Sequence, residues 1–161
     1  MEVRLARVGD AEAVAAIYNV EVTGSTVTFD IEPRSVPEQR RWIERHQGVH
    51  PAVVAVEGTT IVGFGSLSPF RDRAAYATTV EDSVYVDAQW RGRGVGRLIL
   101  LELISLAEKQ GFHTVIARTS GDNGPSIALH QACGFTLVGI EREVGRKFGR
   151  WVDVAILQLL P

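Results

Sequence analysis

The sequence predicts an α/β (α+β) fold in which helices cover the faces of one mixed sheet. Three observations carry that expectation. Periodic segments follow one another as strand, two helices, three strands, helix, strand, helix and two strands. The chain has 161 residues, 45% of them hydrophobic, which suits one domain spanning residues 1–161. A chain of roughly 150 residues buries about 68–70% of its unfolded surface, so no staples are needed. Finally, a glycine- and arginine-rich stretch, Arg91–Arg97, joins a strand to the clearest helix.

The elements can be justified in order. Residues 2–6 alternate as a short strand. A helix follows from Asp10, an expected N-cap, with Val14, Ile17 and Tyr18 spaced for one face. Residues 23–36, rich in Thr, Ser and Gly, read as a loop. Ser35 precedes Glu38 by three residues, a capping-box spacing, with Pro37 in the first turn. That helix carries Trp42 and Ile43 and should end near Gly48. Residues 52–57 and 60–68 form a hairpin turning at Gly58. Residues 78–86 are a strand ending in Val84-Tyr85-Val86. A Leu- and Ile-rich helix spans 95–110, a strand 114–119, a short helix 124–133, and strands 135–141 and 151–159.

Composition excludes several function classes. Seventeen Lys and Arg against 19 Asp and Glu give a net charge of -2, unsuited to a dedicated nucleic-acid binder. No apolar run reaches the roughly 18 residues that a membrane span requires. The first ten residues, MEVRLARVGD, lack the apolar stretch of a secretory signal. One cysteine, Cys133, rules out an internal disulfide and fits the reducing cytoplasm. His130 and Cys133 stand three apart on a helix, but no second Cys or His pair supports a metal site, so none is expected. Cys133 beside Gly134-Phe135 suits a buried, inert thiol.

The stretch Arg91-Gly92-Arg93-Gly94-Val95-Gly96-Arg97 carries the chemistry. Glycines let the backbone turn tightly and approach a ligand. The first amides of the following helix are free to donate, and the helix dipole favours an anion there. Arg91, Arg93 and Arg97 add positive charge, so a phosphate or pyrophosphate is the expected guest. The chain has no Gly-Lys pair, which removes the Walker A loop. A dinucleotide fingerprint starting at Gly92 fails because its sixth position is Arg97.

The pattern that does fit is R-x-x-G-x-G, at Arg91, Gly94 and Gly96. It resembles the acetyl-coenzyme A signature of the GNAT N-acetyltransferase superfamily. Downstream, the stretch from Asn123 through Ser126 and His130 to Gly134-Phe135 resembles that superfamily's second motif. The resemblance implies a mostly antiparallel mixed sheet with a splayed strand pair and flanking helices. It also implies that acetyl-CoA is the cosubstrate. The amides of residues 92–97 would hold its pyrophosphate, Val84, Tyr85 and Val86 would pair with its pantetheine arm, Asn123 would hydrogen-bond that arm, and Ser126 would be a further cofactor-binding residue. The Val86 amide would polarise the thioester carbonyl.

Three further segments narrow the resemblance. Ser25–Phe29 with Glu32-Pro33, Arg71–Tyr76 followed by Thr79-Val80-Glu81, and Gly145–Asp153 are similar to phosphinothricin and methionine sulfoximine acetyltransferases. The similarity implies acetylation of the α-amine of a small amino acid or analogue, and a homodimer. An amine attacks only when unprotonated, so a base helps, and Glu81, five residues before Val86, is the candidate. Alternation turns its neighbour Asp82 to the opposite face. Arg71 and Arg73, two apart, would point the same way in an extended segment, and their guanidinium forks suit a carboxylate or phosphinate. Phe29, Asp72, Asp82 and Ser83 complete the expected substrate pocket. The departing thiolate needs a proton, for which His130, Tyr85 and water are all open. The alternatives are acetylation of a protein N-terminus, lysine or polyamine, or a coenzyme A-binding module without turnover. A polyamine site should be lined with acids, which Arg71 and Arg73 argue against.

Overall fold

A computed structural model describes residues 1–161. The elements are β1 (Glu2–Leu5), α1 (Ala11–Gly24), α2 (Val36–Arg45), β2 (Ala52–Glu57), β3 (Thr60–Pro69), β4 (Thr79–Val86), α3 (Val95–Lys109), β5 (Thr114–Ser120), α4 (Gly124–Ala132), β6 (Thr136–Lys147) and β7 (Arg150–Leu159). Their order is the one the periodicity predicts. The seven strands form one sheet in the order β1-β2-β3-β4-β5-β7-β6. Every neighbouring pair is antiparallel except β4 with β5.

Helices cover both faces. α3 lays Ile99, Leu100 and Leu103, all fully buried, on Val53, Leu67 and Val115. Each such side chain contributes roughly 1.5–3 kcal/mol of burial. On the other face α1 and α2 bring Val14, Ile17, Tyr18 and Ile43 against Val54 and Phe64. α2 opens with the predicted capping box. The Glu38 amide donates to Ser35 Oγ at 3.2 Å and the Ser35 amide to the Glu38 carboxylate at 2.8 Å. Close contact of α3 with the sheet depends on Gly63 and Gly65 in β3. A Cβ at Gly65 would lie 2.6 Å from Ile99 and 2.8 Å from the Ser83 carbonyl.

Three local expectations need correction. Asp10 takes the N-cap position of α1, but its side chain does not cap that helix: the residue closes a short 3-10 turn in helical conformation, and its carboxylate is held by Arg4 and by the Arg7 amide. β6 continues past residue 141 to Lys147. A bulge around Glu143, whose φ is 53° and whose amide donates to Asp153, keeps it paired with β7. Residues 71–73 do not continue a strand: the chain bends at residues 72 and 73 and enters a 3-10 turn at Ala74–Tyr76. Arg71 is therefore fixed by stacking on Phe70 and Tyr76, not by strand alternation.

Candidate active site

β4 pairs with β3 from Val80 opposite Pro69 to Val86 opposite Gly63. It pairs with β5 only from Thr79 opposite Thr114 to Asp82 opposite Ala117. Beyond those residues the parallel strands part, and a cleft of about 450 Å³ occupies the gap. The Asp87 amide donates to the Val62 carbonyl at 2.9 Å. Hydrogen-bond direction alternates along an antiparallel strand. Ser83 and Tyr85 therefore turn their backbone groups to β3, while Val84 and Val86 turn theirs to the cleft. Consistent with that, the Val86 carbonyl accepts from Arg91 Nε at 3.3 Å rather than from a strand. Such an open edge can take an extended ligand as an additional strand.

One end of the cleft is the start of α3. Gly92 and Gly94 have φ of +73° and +82°, which L side chains resist, and Gly94 is the N-cap. Gly96 faces α4, where a Cβ would lie 3.1 Å from Leu129. The opening amides of α3 are free of intrahelical partners and face an anion-ready turn with Arg97 on its wall. Arg91 also lines the cleft and is ion-paired to the buried carboxylate of Glu21 in α1. Arg93 stacks on Trp90 at 5.0 Å and lies outside the wall.

α4 forms the opposite wall. Asn123 caps it, its Oδ1 accepting from the Ser126 amide at 3.2 Å. Asn123, Ser126 and His130 all line the cleft. His130 Nε2 lies 2.9 Å from Asp82 Oδ1, and its Nδ1 lies 2.7 Å from the Ser126 carbonyl. Both neighbours are acceptors, so the ring is held as an imidazolium against a carboxylate. Burial pulls the His130 pKa down, but the hydrogen bond and charge of Asp82 outweigh it, and the net shift is upward. Asp82 Oδ2 is buried with no partner in the chain.

Glu81 points to the other face, as alternation requires, and stands beside the cleft rather than on its wall. Burial raises its pKa; the guanidinium of Arg118 pulls it back, and Asp82 and Arg71 act in opposite senses with smaller weight. Arg118 Nε lies 3.7 Å from Glu81, and Arg118 Nη2 lies 2.6 Å from Glu141. Ser83 and Tyr85 share the Glu81 face and reach the cleft wall. Tyr85 stacks on Phe64, and burial pushes its pKa to about 12. Arg71, Asp72 and Arg73 are exposed and do not line the cleft. Phe29 lies against Gly145 of β6, also off the cleft wall. The loop that carries it is tied to β6 by the buried Lys147, whose Nζ donates to the Thr28 carbonyl at 2.7 Å.

The match to known proteins agrees with this geometry. The model of the acetyltransferase (GNAT) family matches residues 14–135. This chain belongs to that family. It is 39% identical to a phosphinothricin N-acetyltransferase of Streptomyces coelicolor, over 91% of this chain and 88% of that one. It is 35% identical to the L-methionine sulfoximine/L-methionine sulfone acetyltransferase of Pseudomonas aeruginosa, over 98% and 92%. The crystal structure of a GNAT superfamily phosphinothricin acetyltransferase from Sinorhizobium meliloti in complex with AcCoA superposes with a TM-score of 0.95 at 35% identity, covering 99% of this chain and 87% of that one.

Most of the expected cosubstrate residues converge on the cleft, with Arg93 the exception. Sequence reasoning missed Glu21 and Arg118. Glu21 was detectable: it is an acid within the buried stripe Val14, Ile17, Tyr18, Glu21, Val22 of α1. Arg118 gave no signal, because its place beside Glu81 follows from the β4–β5 pairing.

Proposed function

We propose that this chain transfers the acetyl group of acetyl-CoA to the α-amine of a small amino acid or analogue, of the phosphinothricin, methionine sulfoximine or methionine sulfone type. The observation that carries this reading is the parting of β4 from β5, which leaves a free strand edge running from the start of α3 towards Glu81. The residues present fit the cosubstrate. Gly92–Arg97 offer amides and positive charge to a pyrophosphate. The Val84 and Val86 backbone groups suit an amide-bearing arm, and Asn123 borders it.

The amine is protonated in solution and must lose that proton before it attacks. Glu81, with its pKa raised by burial, accepts it directly or through water. As the amine bonds to the thioester carbon, charge builds on the carbonyl oxygen, and the Val86 amide stabilises it. The carbon–sulfur bond then breaks, with no covalent enzyme intermediate. Tyr85, at about 12, holds its proton too tightly to suit a thiolate. His130 is the better source: its Nδ1–H, held chiefly by the Ser126 carbonyl at 2.7 Å, also lies 3.4 Å from Ser126 Oγ, so the hydroxyl can give its proton to sulfur and draw the Nδ1 proton from the imidazolium in its place. Arg71 and Arg73 supply positive charge for an acidic side group.

Incubation with acetyl-CoA and phosphinothricin, methionine sulfoximine, methionine sulfone or ordinary amino acids should release free thiol. Failure with every member of the panel removes the substrate assignment. Glu81→Gln should lower kcat/KM by about 10²–10⁴-fold; full activity at every pH removes Glu81 from its role. A homodimer in the cytoplasm is part of the proposal. The exposed apolar residues Leu137, Val138, Ile140 and Val144 of the edge strand β6 support self-association, and light scattering should give twice the 17.6 kDa chain mass.

A further inference from the structure

We propose that Arg118 reads the α-carboxylate of the amino-acid substrate while Glu81 receives its α-amine; this rests on the acetyltransferase reading above. The argument begins with the sheet. Glu81 is opposite Ile116 in the parallel ladder, so Arg118, two residues on, projects from the same face as Glu81. Asp82 and Ala117 occupy the other face, with His130 and the α3 core. Arg118 is the first β5 residue past the last paired position, so it stands at the point where the strands part and it lines the cleft.

Its charge environment is specific. The guanidinium lies between two carboxylates, 3.7 Å from Glu81 and 2.6 Å from Glu141. Nη2 is ion-paired with Glu141, but Glu141 Oε1, though buried, accepts no hydrogen bond. The contact to Glu81 exceeds hydrogen-bond distance, so Nε and Nη1 retain donors for another acceptor. The side chain is one-third exposed, which lets solvent or a ligand reach it.

A small α-amino acid is a zwitterion whose ammonium and carboxylate are carried by one carbon atom, Cα. A carboxylate and a guanidinium side by side present the complementary pair of charges. Laid across them, the substrate puts its nitrogen at Glu81 and its carboxylate at Arg118. The same orientation directs the amine to the group that must take its proton. Arg71 is stacked on Phe70 and Tyr76 and Arg73 is solvent-exposed; neither lines the cleft. Of the cations, Arg118 acts on Glu81 more strongly than Arg71 does, so it is the one beside the amine's receiver. Arg118 is therefore a specificity-determining residue, and it separates free amino acids from amines that lack a neighbouring carboxylate.

The test compares the fastest amino acid of the substrate panel with its α-carboxamide, which keeps the amine and loses the charge. The native enzyme should prefer the acid in kcat/KM by about 10–100-fold, the scale of a charge-assisted hydrogen bond. Arg118→Gln should raise KM for the acid by that factor and leave the carboxamide within about twofold, abolishing the preference. Arg118→Lys should restore part of it. An effect of Arg118 on the fold or on Glu81 basicity would move both substrates alike. Equal losses for acid and carboxamide, a variant that keeps the full preference, or a native enzyme without preference each overturn the assignment. Absence of thiol release with both substrates instead overturns the acetyltransferase reading, and this inference with it.

Discussion

Replacing Asp82 by Asn should destabilise the protein in a way that depends on pH. Asp82 and His130 are 2% and 4% exposed at their side chains and meet at 2.9 Å. Asn keeps the shape and a hydrogen bond: its amide can donate to a neutral Nε2 while Nδ1 still donates to the Ser126 carbonyl. What is lost is the charge that holds the imidazolium. A hydrogen bond to a charged group contributes about 1.5–3 kcal/mol, and no uncompensated buried charge remains in the variant, so the loss should be about 2–3 kcal/mol. For a chain of this length that corresponds to a fall in Tm of roughly 4–12 °C. The pH sense follows from the raised pKa of His130. A group whose folded pKa exceeds its unfolded value contributes stability that is fully present below the unfolded value of about 6.5 and fades as pH rises through the folded value. The difference between native protein and Asp82→Asn should therefore be largest near pH 6 and shrink towards pH 9. Urea unfolding at both pH values measures it. A difference of the same size at both would refute the imidazolium–carboxylate assignment.

Other substitutions probe the scaffold of the cleft. Gly65→Ala should cost about 1–3 kcal/mol by overpacking, because its Cβ meets backbone at Ser83 and α3 must move; chemical denaturation checks this. Gly94→Ala forces a side chain into φ +82° at the start of α3 and should weaken coenzyme A binding in calorimetry by about tenfold, the equivalent of roughly 1–2 kcal/mol of strain. Arg91→Ala leaves the buried Glu21 carboxylate without its guanidinium. It should both weaken coenzyme A binding and lower Tm, whereas Arg93→Ala, off the cleft wall, should leave Tm within about 1 °C.

The element order, the capping box at Ser35 and Glu38, and the glycine turn were readable because they depend on neighbours in the chain. Helical spacing, a cap three residues away and a left-handed glycine are local requirements. Asp10 stands at the helix start as its local fit requires, but the side chain of Arg4 takes the carboxylate that would have capped it. For Arg71 and Arg73 alternation was a poor guide, since a bend and turn orient them, and Arg71 in addition stacks on Phe70 and Tyr76.

By itself, then, the sequence determined the helices and strands, the anion-binding turn and the residue types that suit acetyl transfer. Tertiary structure decided which of those residues share a site. The parallel pairing of β4 with β5 stops at Asp82 and Ala117, and that single boundary opens the cleft and sets Arg118 beside Glu81. Docking of α4 brings His130 to Asp82, 48 residues away. Such placements depend on register between segments remote in sequence, and a one-residue slip would send every side chain of a strand to the other face.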